Sequence, residues 1–119
     1  MKILLTDDSQ FMRTILKAIV VKAFADATFI EANNGKDTVT LTHEQDPDLL
    51  LLDLVMPEKG GIDVLKEVGT AKKGRIIVIS ALGQEKVMQE ALGLGAAAFI
   101  IKPFDEKQVL DTLKKVAGS

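Results

Sequence analysis

Five short runs of mainly apolar residues, separated by segments long enough to hold a helix, constrain the fold of this chain more than any other feature. The runs occupy residues 3–5, 28–30, 49–52, 76–79 and 98–101. Runs of this kind are typical of strands that are buried on both faces of a parallel sheet. Neighbouring parallel strands need a crossover connection, which is usually a helix. The alternation therefore predicts an α/β fold with five strands and five helices.

Capping residues and apolar spacing predict four of the helices. Ser9 can accept a hydrogen bond as the cap of the first helix, and Asp105 can do the same for the last one. Helices are also predicted over residues 62–68 and 84–92, where apolar residues recur with helical spacing. The apolar stripe of the first helix is predicted to contain Phe11, Met12, Ile15, Leu16, Ile19 and Val20.

The segment at residues 38–42 has an ambiguous pattern. It alternates like a strand and is rich in β-branched residues. A helix is nevertheless predicted here, because the strands on either side of it are expected to run parallel and need a crossover between them. The preceding Asn33-Asn34-Gly35 is predicted to be a turn that ends the second strand.

The overall composition excludes several classes of protein. The 119 residues suffice for one domain, which we place at residues 1–119, and they include no cysteine for a disulfide or a thiolate metal site. A net charge of −2 gives no basic excess for direct binding of nucleic acid. No apolar run approaches the roughly 20 residues that a membrane-spanning helix needs. Because the N-terminus also lacks the pattern of a signal peptide, a cytoplasmic protein without membrane insertion is expected.

Polar side chains follow four of the predicted strands at the point where each strand ends. They are Asp7, Asp8, Asp53, Ser80 and Lys102. Because ligands of parallel α/β sheets bind beyond the carboxyl ends of the strands, we expect these side chains to converge on one site. Three carboxylates in one place need a cation between them, and oxygen ligands favour Mg²⁺. A lysine and a hydroxyl beside that ion suit a transferred phosphoryl group, with Asp53 as the nucleophile.

Each of these residues also has an ordinary structural explanation. Asp7 and Asp8 could favour the start of a helix through their charge, and Ser80 could be a turn residue. Lys102 could be a solvated surface residue, as most lysines are. Five polar residues at the ends of four apolar strands are hard to attribute to such separate causes. Asp53, which directly follows four leucines, is the least easily explained in this way.

A set of short motifs resembles the receiver domains of two-component response regulators. The motifs are Asp7-Asp8-Ser9, Asp53 followed by Met56-Pro57, Gly61, Ser80-Ala81 and Lys102-Pro103-Phe104. The resemblance covers essentially the whole chain. It implies a flavodoxin-like (βα)5 fold, a doubly wound parallel sheet with strand order 2-1-3-4-5. That order is the known one for this family and is not deduced from the residues.

The resemblance implies which residues bind the phosphoryl group and the metal ion. Asp53 would accept the phosphoryl group. Asp8, Asp53 and the backbone carbonyl of Val55 would bind Mg²⁺, with Mn²⁺ as an alternative ion. Asp7 would act on the ion largely through water.

The resemblance also implies the parts of a switch. Ser80 would hydrogen bond to the phosphoryl group, and Lys102 would balance its charge. The Lys102-Pro103 peptide is expected to be cis, an isomer that proline makes accessible. Phe99 falls at the position of the family's switch aromatic, although from the residues alone a core position is the better interpretation. His43 is expected to lie on the surface and not to act in a phosphorelay.

Three classes of function remain open. The leading hypothesis is a signalling switch that is phosphorylated by a sensor histidine kinase and then changes its affinity for a protein target. The target is expected on the face of the fourth helix, fifth strand and fifth helix, and the resemblance favours a chemotaxis-type regulator. Such a protein is not an enzyme, beyond catalysing its own phosphotransfer and slow dephosphorylation. The alternatives are the isolated receiver domain of a longer DNA-binding or enzymatic response regulator and a small Mg²⁺-dependent phosphatase.

Overall fold

Ten elements alternate along the chain in a computed structural model that describes residues 1–118. The strands are β1 (Lys2–Thr6), β2 (Thr28–Ala32), β3 (Leu49–Leu52), β4 (Ile76–Ser80) and β5 (Ala98–Ile101). The helices are α1 (Gln10–Ala23), α2 (Gly35–Gln45), α3 (Gly61–Val68), α4 (Glu85–Gly93) and α5 (Glu106–Ala117). The predicted alternation is confirmed, and no helix within these 118 residues is long and apolar enough to cross a membrane. Ser119, the last residue of the predicted domain, lies outside the described residues.

The five strands form one parallel sheet in the order β2-β1-β3-β4-β5. This confirms the predicted α/β fold and its doubly wound strand order. Every residue of β3 is buried, because this strand lies inside the sheet and both faces of the sheet are covered. The strand order reverses at β1 and β3, so their carboxyl ends flank the crevice where ligands of such sheets bind.

Two hydrophobic cores lie on opposite faces of the sheet. Side chains alternate along β1, so that Ile3 and Leu5 join one core and Leu4 joins the other. Buried residues of α1 and α5 complete the first core, and those of α3 and α4 complete the second. The sheet thus lies between two layers of helices, and the loops that follow the strands lie at the carboxyl ends of the strands.

The ambiguous segment at residues 38–42 is helical, as predicted. The side chain of Asn34 caps α2 by accepting a hydrogen bond from the Asp37 N–H at 2.8 Å. Thr38 and Thr42 are buried, and each hydroxyl donates to the backbone carbonyl four residues earlier at 2.7 Å. The predicted turn at residues 33–35 is wrong at Gly35. Asn34 acts as a helix cap, so Gly35 is the first residue of α2.

Phe11 does not belong to the buried stripe of α1. Phe11 is 74% exposed, whereas Leu16, Ile19 and Val20 are buried. Phe11 precedes Leu16 by five residues, which corresponds to about 140° around a helix and places it away from the sheet. The prediction that Phe11 joins the apolar stripe is therefore wrong.

Gly69 allows the end of α3 to touch the loop after α4. A methyl group on Gly69 would overlap the backbone carbonyl of Leu94, whereas a methyl group on Gly93 would meet nothing within 4 Å. We expect Gly69→Ala to lower the free energy of unfolding by about 1–3 kcal/mol, the usual cost of overpacking. Gly93→Ala, the matched control at the end of α4, should be neutral or slightly stabilising, since alanine is the better helix former. Urea denaturation measures both, and equal midpoints would contradict the close contact.

Candidate functional site

β1 and β3 place two aspartates side by side at the carboxyl edge of the sheet. Thr6 of β1 pairs in register with Leu52 of β3. The next residues along the two strands are Asp7 and Asp53. The Asp53 N–H donates to the Thr6 carbonyl at 3.0 Å, and the Asp7 N–H donates to the Ala32 carbonyl at 3.2 Å. The hydrogen bonds of the sheet thus continue one residue past each strand and fix the backbone of both aspartates.

Asp8 completes a cluster of three carboxylates. One carboxylate oxygen from each of Asp7, Asp8 and Asp53 lies within 4.8 Å of the other two. Asp7 and Asp53 are 2% and 6% exposed, whereas Asp8 faces solvent. Mg²⁺ prefers oxygen ligands and usually takes one or two protein carboxylates while it keeps several waters. The oxygen donors and the one solvent-facing member of this cluster fit a hydrated divalent cation of that kind.

The ammonium group of Lys102 bridges the two buried carboxylates. Its Nζ donates to Asp7 Oδ2 at 2.7 Å and to Asp53 Oδ2 at 3.0 Å. Burial by itself lowers the pKa of Lys102, but the hydrogen bonds and charges of the two aspartates outweigh burial, so its pKa is raised. The other oxygens accept backbone hydrogen bonds, Asp7 Oδ1 from the Ser9 N–H at 2.9 Å and Asp53 Oδ1 from the Val55 N–H at 3.2 Å. Lys102 is thus a stable cation in an acidic site.

Asp7 carries a burial cost that Lys102 does not fully offset. Burial raises the pKa of Asp7, and the hydrogen bonds from Lys102 and the Ser9 N–H lower it by less, so the pKa is raised overall. A carboxyl group with a higher pKa in the folded protein contributes stability that is fully present below its unfolded pKa. That contribution is lost as the pH rises through the folded pKa. The ionised form of Asp7 therefore destabilises the fold at neutral pH.

We expect Asp7→Asn, which cannot ionise, to melt at a higher temperature than wild type at neutral pH. The difference should shrink below the ordinary pKa of aspartate, where the wild-type carboxyl is also neutral. Asp26→Asn, at an exposed position, is the control and should show no such pH-dependent gain. Thermal melts over a range of pH without divalent cations measure this. A lower melting temperature for Asp7→Asn at neutral pH would contradict the burial argument.

Ser80 lies on the neighbouring strand end. It is the last residue of β4, is fully buried, and its hydroxyl accepts a hydrogen bond from the Leu82 N–H at 3.3 Å. The Lys102 N–H donates to the Ser80 carbonyl at 2.9 Å, which ties β5 to β4 at this edge. The structure thus brings the predicted Asp7, Asp8, Asp53 and Lys102 into one cluster and places Ser80 beside it.

The other predicted positions lie around this cluster. Phe99 lies on β5, is partly buried, and packs against the core beneath α3 and α4. Val55 is 54% exposed. The Lys102-Pro103 peptide is cis, and His43 is exposed on α2, as predicted.

Arg13 of α1 contacts the site, although no sequence motif predicts this contact. Its Nη1 donates to the Asp7 carbonyl at 2.6 Å, and its Nε donates to Glu31 of β2 at 2.8 Å. One signal was available in the sequence. A cation near the start of a helix is disfavoured by the helix dipole, so an arginine there needs another reason.

Comparison with known proteins decides the family. The sequence profile of the response regulator receiver domain matches residues 3–114. The chain belongs to the response regulator receiver family. Receiver domains of this family are regulators and not classical enzymes. The family membership that the sequence motifs indicated is confirmed.

This receiver domain is similar to chemotaxis regulators over nearly its whole length. Chemotaxis protein CheY of Thermotoga maritima is 41% identical over 117 residues, which are 98% of this chain and 97% of the relative. CheY of Bacillus subtilis is 41% identical over 115 residues, 96% of this chain and 95% of the relative. The chain is therefore a receiver domain homologous to CheY. This homology is consistent with a phosphorylation-dependent signalling switch of chemotaxis type.

Solved structures agree with this assignment. A CheX–CheY–BeF3–Mg²⁺ complex from Borrelia burgdorferi contains a chain of 33% identity, with a TM-score of 0.86 over 97% of this receiver domain and 87% of that chain. The response regulator domain of Thermotoga maritima CheB has 31% identity and a TM-score of 0.81, over 99% of this chain and 94% of that one. The flavodoxin-like receiver fold is shared by both.

Proposed function

We propose that this receiver domain is a chemotaxis-type switch that accepts a phosphoryl group on Asp53 from a sensor histidine kinase. The observation that carries the proposal is the position of Asp53. It is buried at the carboxyl end of β3, shares a cation with Asp7, and lies in a cluster of three carboxylates. A carboxylate held between a cation and a metal-binding cluster suits acyl phosphate formation, because phosphoryl transfer depends mainly on positioning and charge stabilisation.

A divalent cation is part of the proposal. Asp8, Asp53 and the backbone carbonyl of Val55 would hold Mg²⁺, with Asp7 acting through water, and Mn²⁺ would be an alternative ion. When bound, the ion would offset the negative charge of the phosphoryl oxygens. The donor chemistry of the carboxylate cluster supports this, and Borrelia burgdorferi CheY was crystallised with Mg²⁺.

The transfer itself conserves atoms and charge. An Asp53 carboxylate oxygen forms a bond to the phosphorus of a phosphohistidine, and the phosphorus–nitrogen bond of the donor breaks. The electron pair returns to the imidazole nitrogen of the kinase. Lys102, already hydrogen bonded to Asp53, stays beside the new phosphoryl oxygens and balances their charge. Ser80, one strand away, would turn its hydroxyl from Leu82 towards the phosphoryl group.

The output is proposed to be a change of affinity for a protein partner. Movement of Ser80 would free space next to β5, where the partly buried Phe99 packs, and would alter the face formed by α4, β5 and α5. We propose that the domain meets its kinase and its target in the cytoplasm. The homology to CheY supports protein partners of this kind.

Transfer from a phosphorylated histidine kinase tests the proposed function. The chain is mixed with a kinase phosphodonor domain that carries labelled phosphohistidine, with Mg²⁺ or with a chelator. We expect the label to move to the chain only when Mg²⁺ is present, and to be released by mild alkali, as an acyl phosphate is. Label that stays on the kinase, or that transfers equally well with chelator, would refute the proposal.

Asp8→Ala is expected to abolish Mg²⁺ binding within the range that calorimetric titration detects. Asp8 is the solvent-facing member of the cluster and one of few carboxylate ligands, so its loss leaves the ion too weakly held. Asp37→Ala, which removes an exposed carboxylate at the start of α2, is the control and should bind like wild type. Unchanged binding by Asp8→Ala would exclude Asp8 as a ligand.

A further inference from the structure

The guanidinium group of Arg13 ties the end of β1 to the edge strand β2. It donates from Nη1 to the Asp7 carbonyl at 2.6 Å and from Nε to Glu31 Oε1 at 2.8 Å. The Arg13 side chain is only 13% exposed, and its hydrogen bond to the Asp7 carbonyl is partly buried, whereas its hydrogen bond to Glu31 is exposed. Glu31 is held from its other side by Lys17, whose Nζ lies 2.5 Å from Oε2. Lys17 and Arg13 together keep the pKa of Glu31 low, so Glu31 is a lasting anionic anchor for Arg13.

The carbonyl that Arg13 binds belongs to the peptide bond between Asp7 and Asp8. Because a peptide bond is planar, holding the Asp7 carbonyl also sets the direction in which the chain enters Asp8. The Asp7 carboxylate has its own contacts with Lys102 and the Ser9 N–H. The Asp8 carboxylate faces solvent and has no hydrogen bond or ion pair with any of residues 1–118. The region that this carboxylate can reach is therefore set by the backbone, which Arg13 holds at the Asp7 carbonyl.

We propose that Arg13 is a positioning residue that aims the Asp8 carboxylate at the divalent cation and thereby raises the affinity for that cation. The inference rests on the metal-dependent function proposed above. The charge of Arg13 alone predicts the opposite, since a cation near three carboxylates repels a second cation and its removal should tighten binding. The direction of the change in affinity therefore separates positioning from simple electrostatics.

Three variants separate these effects. Arg13→Met keeps most of the side-chain length but loses the guanidinium. Arg13→Lys keeps the charge but lacks the planar fork that reaches both acceptors. Lys17→Met is the matched control, because it removes a positive charge from the same Glu31 and leaves the contact with the Asp7 carbonyl in place.

Calorimetric titration with Mg²⁺ is the first measurement. We expect the Kd to rise about tenfold in both Arg13 variants, the usual effect of losing an outer-shell partner of a metal ligand. Lys17→Met should bind Mg²⁺ as tightly as wild type or more tightly. Binding by Arg13→Met that is unchanged or tighter would overturn the proposal. If Arg13→Met does not fold, the Mg²⁺ affinity of the charge-conserving Arg13→Lys provides the same test.

Backbone ¹⁵N relaxation of the cation-free protein is the second measurement, and it does not depend on metal binding. The Asp8 amide of wild type should have an order parameter of about 0.85, typical of rigid backbone. It should fall in both Arg13 variants and stay unchanged in Lys17→Met. A wild type that binds no Mg²⁺ would refute the proposed metal site, and the Asp8 amide would still decide the role of Arg13. An Asp8 amide that stays rigid in both Arg13 variants would overturn that role.

Discussion

Asp53→Asn is expected to abolish phosphoryl transfer to the chain from acetyl phosphate with Mg²⁺. Asparagine has nearly the same shape as aspartate but lacks the anionic oxygen that attacks phosphorus. The amide oxygen can keep one of the two contacts of the carboxylate, with either the Val55 N–H or the Lys102 ammonium group. The variant should therefore fold, and its loss of phosphorylation should result from the missing nucleophile and not from unfolding. Intact-mass spectrometry should find one added phosphoryl group on wild type and none on the variant.

Asp63→Asn is the matched control for this experiment. Asp63 is an exposed aspartate near the start of α3, outside the carboxylate cluster, and its replacement should leave phosphorylation at the wild-type level. A phosphoryl group on Asp53→Asn would place the acceptor elsewhere. In that case the carboxylate cluster would have a role other than phosphoryl acceptance.

Lys102→Met is expected to produce the largest loss of stability among single substitutions at the site. It leaves the buried carboxylates of Asp7 and Asp53 without their shared cation. Removing one partner of a buried ion pair typically costs about 3–5 kcal/mol, and we expect the lower end, since the Lys102 side chain is 18% exposed. Mg²⁺ should restore part of this loss, because it binds the folded state and supplies positive charge at the same carboxylates.

Urea denaturation of Lys102→Met with and without Mg²⁺ measures both effects. Lys107→Met is the control, since it removes a lysine whose partner, Asp111, lies on the exposed side of α5. Its denaturation midpoint should match that of wild type in either buffer. If Lys102→Met were as stable as wild type, or gained no more from Mg²⁺ than wild type does, the cation would not be balancing the two carboxylates.

The sequence predicts best where one physical requirement acts alone. Both bounds of β3 and of β5 are as predicted, since each strand is an unbroken apolar run that ends where a polar residue begins. The position of Asp53 at the carboxyl end of β3 is predicted by the same pattern, because Asp53 is the first polar residue after this apolar run. At residues 38–42 local preference and the need for a crossover disagree, and the crossover prevails. Phe11 shows the opposite limit. It is apolar and lies next to the predicted stripe, but its separation of five residues from Leu16 places it away from the sheet.

The contacts within the site could not be read from the sequence, because they join residues that are far apart along the chain. Lys102 lies 95 residues from Asp7, and Arg13 lies 18 residues from Glu31. Patterns of neighbouring residues report which element a residue occupies, but not which side chain it meets. Adjacent and identical residues also differ: Asp7 is buried and Asp8 is exposed, because the chain turns between them at the sheet edge.

The location of the phosphoryl group is the most direct test of the account. The protein is phosphorylated with acetyl phosphate and Mg²⁺ and then reduced with borohydride, which cleaves an aspartyl phosphate and leaves homoserine at that position. Mass spectrometry of the peptides should find homoserine at residue 53, with Asp7 and Asp8 unmodified, and none when Mg²⁺ is withheld. Homoserine at residue 7 or 8, or a phosphorylated protein that yields no homoserine at all, would contradict the assignment of Asp53 as the acceptor.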